Sequence, residues 1–152
     1  PMIWRPSKSA KVAPSAVGKP VGHVDLAPTF CEIAGLPVAE WMQGKPMPKT
    51  DAEAESQGRE RVFTEWDCQH VDGTTVGLRT IYRDGYTITA YLPGTIYDGS
   101  EGELYDHKED PGQHRNLWND PAYASLKSGL LADLRDAEPP HRTPRLECVA
   151  PV

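Results

Sequence analysis

The chain has 152 residues, enough for one ordinary domain and too few for two comfortable ones. Only 38% of residues are hydrophobic, and 15 prolines and 13 glycines predict much loop around a modest core. A net charge of −6 argues against a nucleic-acid partner, and no apolar run approaches the length of a membrane span.

Pro1 to Pro6 is a short apolar run between prolines, expected as a strand whose sheet partners lie elsewhere. No leader pattern is visible at Pro1, and the first residue is not Met, so the natural N-terminus is left open. Ser7 to Pro20, rich in Ser, Lys, Ala and Pro, reads as loop. A helix is expected next. Asp25 is a suitable N-cap, Pro28 is tolerated in the first turn, and Leu26, Phe30, Ile33 and Ala34 share one face. Gly35 fits the position just past the helix, and Pro37 stops continuation. Cys31 sits in this apolar pattern as a small core residue, and three cysteines in all make no disulfide framework. Residues 43–60 read as a mobile linker, with Lys49 to Arg59 polar and without apolar periodicity.

Residues 61–138 carry the strongest local signals. Arg61 to Asp67 is a β-rich run. Two further runs, 77–83 and 86–91, flank Asp84-Gly85, the composition of a two-residue hairpin turn. That turn sets a register in which Arg83 faces Tyr86, Ile81 faces Ile88 and Leu78 faces Tyr91. Gly102 to Asp106 can add another strand. Asp120 caps a helix with Pro121 at its first position, and Tyr123, Leu126, Leu130, Leu131 and Leu134 form its apolar stripe. Pro139-Pro140 end it, and 139–152 read as a tail that wraps along another surface. The expected architecture is α+β: a small antiparallel sheet of three or four strands covered by a C-terminal helix.

Four sets of residues show patterns that resemble the sulfatase family. Arg79-Thr80 before a hairpin, then Gly102-Glu103-Leu104-Tyr105-Asp106, then Asp110-Pro111 to Asn116-Leu117 is similar to the tail pattern "R-T-x-x-Y-K…E-L-Y-D-L…D-P-x-E-x-x-N-L". Val21-Gly22-His23-Val24-Asp25-Leu26 through Gly35 resembles "V-S-H-V-D-L-x-P-T-L-L-x-L-A-G", and Gln43-Gly44 resembles the start of "Q-G-x-S-L". The opening run resembles "P-L-I-V-R-W-P". The resemblance implies a fragment of an α/β sulfatase fold, in which residues 1–42 supply the last strand and helix of a large domain and 61–138 a C-terminal subdomain. It further implies hydrolysis of sulfate esters by an oxidised Cys or Ser (formylglycine) in "C/S-x-P-x-R", with calcium neutralising the sulfate oxygens.

None of that machinery is in these residues. No Cys or Ser is followed by Pro at the second place and Arg at the fourth. The chain is therefore expected to be the C-terminal part of a longer sulfatase, inactive alone and binding no calcium itself. Rival readings are a phosphonate or phosphate ester hydrolase of the same superfamily and a non-catalytic binding module. Self-association through residues 1–42 is expected if their apolar faces lack a partner.

Candidate substrate-binding residues are Glu65, Trp66, Asp67 and His70 at one strand end, where an aromatic beside acids and a His can shape a sugar or aryl site. The bland alternative is a solvated strand end with Trp66 packed beneath it. His23 is a candidate to face an active site, against a structural role. Arg79, Arg83 and Arg115 are candidate anion binders, against pairing with the many nearby acids. A zinc site from His70, His107, His114, His141, Cys68 and Cys148 lacks a finger spacing.

Overall fold

A computed structural model describes residues 2–5 and 7–139. The expected tail at 140–152 lies outside the described residues. The chain divides into two compact units, one up to Glu60 and one from Arg61 on, and each is described by itself. No helix among the described residues is long and apolar enough to cross a membrane.

In the first unit, Met2–Arg5 carry no regular structure, in place of the expected strand. A strand needs a neighbour to take its N–H and C=O groups, and the described residues of this unit form none. A single 3₁₀ turn, His23–Asp25, leads into α1, Leu26–Ile33. α1 ends as the sequence predicts. Gly35 takes a φ of 68°, its N–H donates to Glu32 O and the Leu36 N–H donates to Cys31 O, the paired bonds of a Schellman ending. The buried face differs from the expected stripe: Pro28 and Thr29 are buried, whereas Phe30 and Ile33 are 61% and 56% exposed.

Lys49 to Arg59, expected as mobile linker, instead holds a second helix, α2, Asp51–Gln57. Thr50 caps it by accepting the Glu53 N–H, and the Glu53 carboxylate accepts from Lys49 N at 2.7 Å. A single small residue, Ala54, is its buried side. One alanine per two turns leaves no periodic apolar signal, which is why pattern reading sees only a polar stretch.

The second unit is a four-stranded antiparallel sheet in the order β1-β2-β3-β4, with β1 Arg61–Gln69, β2 Thr75–Arg83, β3 Tyr86–Tyr91 and β4 Gly102–Asp106. The β2–β3 register is the one that Asp84-Gly85 dictates: Arg83 opposite Tyr86, Ile81 opposite Ile88, Leu78 opposite Tyr91. Both turn residues have positive φ, 54° and 87°, the backbone of a primed turn. After a 3₁₀ turn at Pro121–Tyr123, capped by Asp120 through the Ala122 N–H, comes α3, Ala124–Ala137.

Helix α3 covers one sheet face. Ile81, Ile88 and Leu104, all fully buried, meet Leu130 and Leu134, with Leu117 and Trp118 closing one side. Phe63, Tyr86, Ala90, Tyr123, Leu126 and Leu131 pack around this cluster. Side-chain alternation follows from there. Arg61, Phe63, Glu65 and Asp67 share the helix face, opposite Arg83, Ile81, Arg79 and Gly77. Val62, Thr64, Trp66 and Cys68 lie on the other face.

Candidate functional site

The strand end singled out from sequence is the β1–β2 hairpin. Its loop is closed by main chain: His70 N–H donates to Thr74 O at 2.8 Å and Gly73 N–H to His70 O at 2.9 Å. Asp72 Oδ1 accepts the Thr74 N–H at 2.9 Å, which holds its carboxyl below the usual carboxylate value. The loop after β3 docks here through Thr75 and Thr95, whose side chains each accept the other's main-chain N–H.

The four candidate residues of the second unit do not converge on one face. Glu65 and Asp67 point to the helix face, where both meet Arg79. Asp67 makes a two-pronged pair with the guanidinium at 2.7 and 3.1 Å, and Glu65 lies at 4.0 Å. Glu138, just past α3, accepts from Arg79 Nε at 2.9 Å. Asp67 first, then Glu138, hold the Arg79 pKa above its usual value against the effect of burial. Trp66 is on the opposite face and 54% exposed, so it is not packed beneath the strand end. His70 is exposed past the strand, with Nε2 at 3.6 Å from Cys68 Sγ. His23 belongs to the first unit, exposed, where its main-chain O accepts the Leu26 N–H at the entry to α1.

The arginines pair with acids. Arg83 bonds Asp133 and, at 3.0 Å, Asp84; Arg115 bonds Asp120 at 2.6 Å. Among the described residues no three His, Cys, Asp or Glu side chains are placed to hold a metal ion. The most buried carboxylate among the described residues, Asp25, is engaged wholly by protein donors. It is 2% exposed and saturated by donors: Gly22 N–H at 2.9 Å, Lys45 N–H at 3.0 Å and a two-pronged Arg59 guanidinium. Burial alone pushes its pKa up, but the Arg59 hydrogen bonds and the two N–H groups outweigh it and hold the carboxyl below its usual value. No lone pair is left for calcium.

Sequence reading missed two organising residues. Arg59 sits in the stretch read as linker, and nothing local announces its partner 34 residues away. Asn116 carries no local signal beyond its place in the "D-P…N-L" stretch. Its Oδ1 accepts the N–H groups of Leu104 and Trp118 at 3.1 and 2.9 Å, and its Nδ2 donates to Gly102 O at 3.1 Å. Asp106 accepts from Lys108 N and Glu109 N, and Asp110 from Arg115 N. Gly102 leaves room for Trp118, whose ring atoms lie 2.5 Å from where a Cβ would stand. The "E-L-Y-D…D-P…N-L" letters are thus the parts that finish β4 and turn the chain into α3.

A family model for the C-terminal region of N-sulphoglucosamine sulphohydrolase matches residues 1–139. The chain belongs to the sulfatase family, as a C-terminal portion. This sulfatase segment is 35% identical over 125 residues to the Delta 4,5-hexuronate-2-O-sulfatase of Bacteroides thetaiotaomicron, across 78% of this chain and 25% of that one. It is 28% identical over 144 residues to the N-acetylglucosamine-6-O-sulfatase of the same organism, across 91% of this chain and 24% of that one. The solved structure of a 2-O GAG sulfatase matches with a TM-score of 0.63 and 33% identity, over 74% of this chain and 23% of that one. The segment spans about a quarter of the length of the curated relatives it matches.

Proposed function

We propose that the chain works as the C-terminal part of a longer hydrolase that cleaves a sulfate ester on a carbohydrate, a 2-O-sulfated uronic acid being the leading substrate. The observation that carries this is the sulfatase match across residues 1–139, strongest among the quoted relatives for a hexuronate 2-O-sulfatase. The chain's own contribution is architectural. The β-sheet and the Asn116 bonds give a rigid unit on which a loop end can be presented to a substrate. Trp66 and His70 are its candidates for touching the sugar, since both are exposed at the same strand end. Glu65 and Asp67 serve Arg79 instead.

Sulfate-ester cleavage requires a nucleophile and positive charge on the transferring group. A bound calcium ion would supply that charge. In this proposal both it and the modified Cys or Ser are held by residues outside this sequence, because the sequence has no "C/S-x-P-x-R" and no three His, Cys, Asp or Glu side chains are grouped for a metal ion among the described residues. Binding that does not favour the transition state does not accelerate the reaction, so the isolated chain is expected to be inactive.

The test compares the purified 152-residue chain with the same reading frame extended upstream. Both are assayed for sulfate release from an unsaturated 2-O-sulfated uronide and from a 6-O-sulfated glucosamine. The extended protein should act on the uronide and the short chain on neither. Calcium-dependent release of sulfate by the short chain would overturn the proposal, and preference of the extended protein for the 6-O ester would overturn the substrate assignment.

A further inference from the structure

The two faces of the sheet are built from different chemistry. Under α3 the central positions are aliphatic, and Ile81, Ile88 and Leu104 are fully buried there. α3 and the turn before it pack on that face, and no other helix of the second unit is left for the opposite one. On that opposite face the cross-strand register lines side chains up in three rows. Trp66, Leu78 and Tyr91 form the first row. Thr64, Thr80, Thr89 and Glu103 form the second, and Val62, Tyr82, Thr87 and Tyr105 the third. Three strand spacings by four residues make a patch about 14 Å on each side.

The outer rows carry rings and the middle row carries hydroxyls. Trp66 is 54% exposed at one corner. Tyr91 is held against Tyr97, with ring centres 4.6 Å apart, and its hydroxyl donates to Glu103 Oε1 at 2.7 Å. Tyr82 meets the His107 ring edge-on at 5.7 Å, and His107 Nε2 bonds the Thr87 hydroxyl at 2.6 Å. Across the middle, Thr80 and Thr89 share a hydrogen bond at 2.9 Å. A hydroxyl can donate once and accept twice, so these groups keep unused capacity while their positions are already fixed. Neither Lys nor Arg stands at a strand position on this face, because Arg61, Arg79 and Arg83 all lie on the side of α3.

These properties select the occupant. The apolar core of a protein interface would bury the Thr and Tyr hydroxyls without pairing them, which costs free energy. A sugar ring brings its own hydroxyls to pair with them and an apolar C–H face to lie on an indole or a phenol ring. A sulfate group would meet no cation here. We propose that the face of the sheet away from α3 binds an uncharged stretch of a glycan chain, with Trp66 stacked on one sugar ring and the Thr and Tyr hydroxyls bonded to its hydroxyl groups. The choice of a glycan rests on the carbohydrate reading above.

The test is calorimetric titration of the 152-residue chain with neutral tetrasaccharides of glucose, of galactose and of N-acetylglucosamine, each beside its sulfated counterpart. At least one neutral sugar should bind, and more tightly than its sulfated counterpart. Trp66→Ala should weaken that binding about tenfold or more, and Trp66→Tyr should retain most of it. Tyr105→Phe, which keeps the ring and removes the hydroxyl, should weaken it about threefold. Trp41→Ala removes an indole 70% exposed in the first unit and should leave it unchanged. No heat from any neutral sugar at about 5 mM would overturn the proposal. So would tighter binding of the sulfated form, or binding that survives Trp66→Ala. A dimer that Trp66→Ala dissociates would give the face to a second copy instead, and loss of sugar binding in the upstream-extended protein would give it to the rest of that protein. These titrations read no sulfate release, so an extended protein that cleaves its ester while no neutral sugar binds would sink this proposal alone.

Discussion

Removing Arg59 tests the buried ion pair most directly. In Arg59→Leu the Asp25 carboxylate stays 2% exposed but loses its two-pronged partner and keeps only the Gly22 and Lys45 N–H groups. Breaking a buried pair from one side costs about 3–5 kcal/mol, and the low end applies because Arg59 itself is 26% exposed. A loss of about 3 kcal/mol corresponds to roughly a hundredfold faster exchange of amides that open with the first unit. Met47 N, bonded to Thr29, and Gly58 N, bonded to Ala54, are the reporters. The acid limb should move as well. In the native chain the Asp25 pKa is depressed, so its contribution is present above the unfolded value of 3.8 and fades as pH falls through the lower native value. Without Arg59 the effect of burial is opposed only by two N–H bonds, the native pKa rises, and acid loss of protection should begin at higher pH. Unchanged protection at pH 7 together with an unchanged acid midpoint would refute the claim that this pair organises residues 22–59.

Other changes probe the second unit and the exposed faces. Gly85→Val forces a β-branched residue to φ 87° and should cost about 1 kcal/mol or more, seen as a melting-temperature drop of several degrees. Asn116→Ala orphans the N–H groups of Leu104 and Trp118 and should cost about 2–3 kcal/mol by denaturant titration; a loss under about 0.5 kcal/mol would mean that water replaces the amide. Leu134→Ala, 4% exposed between α3 and the sheet, should cost about 2–5 kcal/mol in the same titration. The first unit exposes Val24, Phe30, Ile33, Leu36 and Trp41, so the chain should bind an apolar dye or self-associate in size-exclusion chromatography; a dye-silent monomer would show that these side chains find cover.

The hairpin, its register, the fourth strand and α3 were legible because each rests on local chemistry: an Asp-Gly turn, alternation of period two, an Asp-Pro helix start and a leucine stripe. The helix α1 and its Gly35 ending were legible for the same reason. What was not legible depends on distant partners. The Pro1–Pro6 run has strand composition, but a strand is defined by its neighbour. α2 is held by a cap and one alanine, too little to register as periodicity. The candidate site suffered from the alternation that the reading itself used. Glu65, Trp66 and Asp67 are adjacent in sequence, and adjacency in a strand sends the middle residue to the opposite face.

The letters by which this chain resembles sulfatases are, where the structure describes them, letters of folding and not of chemistry. Asp25 binds a main-chain corner and an arginine. Asp106 and Asp110 accept N–H groups in turns. Asn116 seals the edge of β4. Each is a polar group whose partners are main-chain atoms or a single fixed guanidinium, an arrangement that survives only if the backbone around it is kept. Replacing any one of them leaves main-chain donors or a charge without its partner. Residues that select a substrate have no such constraint on the fold. That asymmetry explains why 1–139 reads clearly as a sulfatase segment, while Trp66 and His70, proposed here to meet a sugar, lie at a solvent-exposed strand end outside the quoted motif letters.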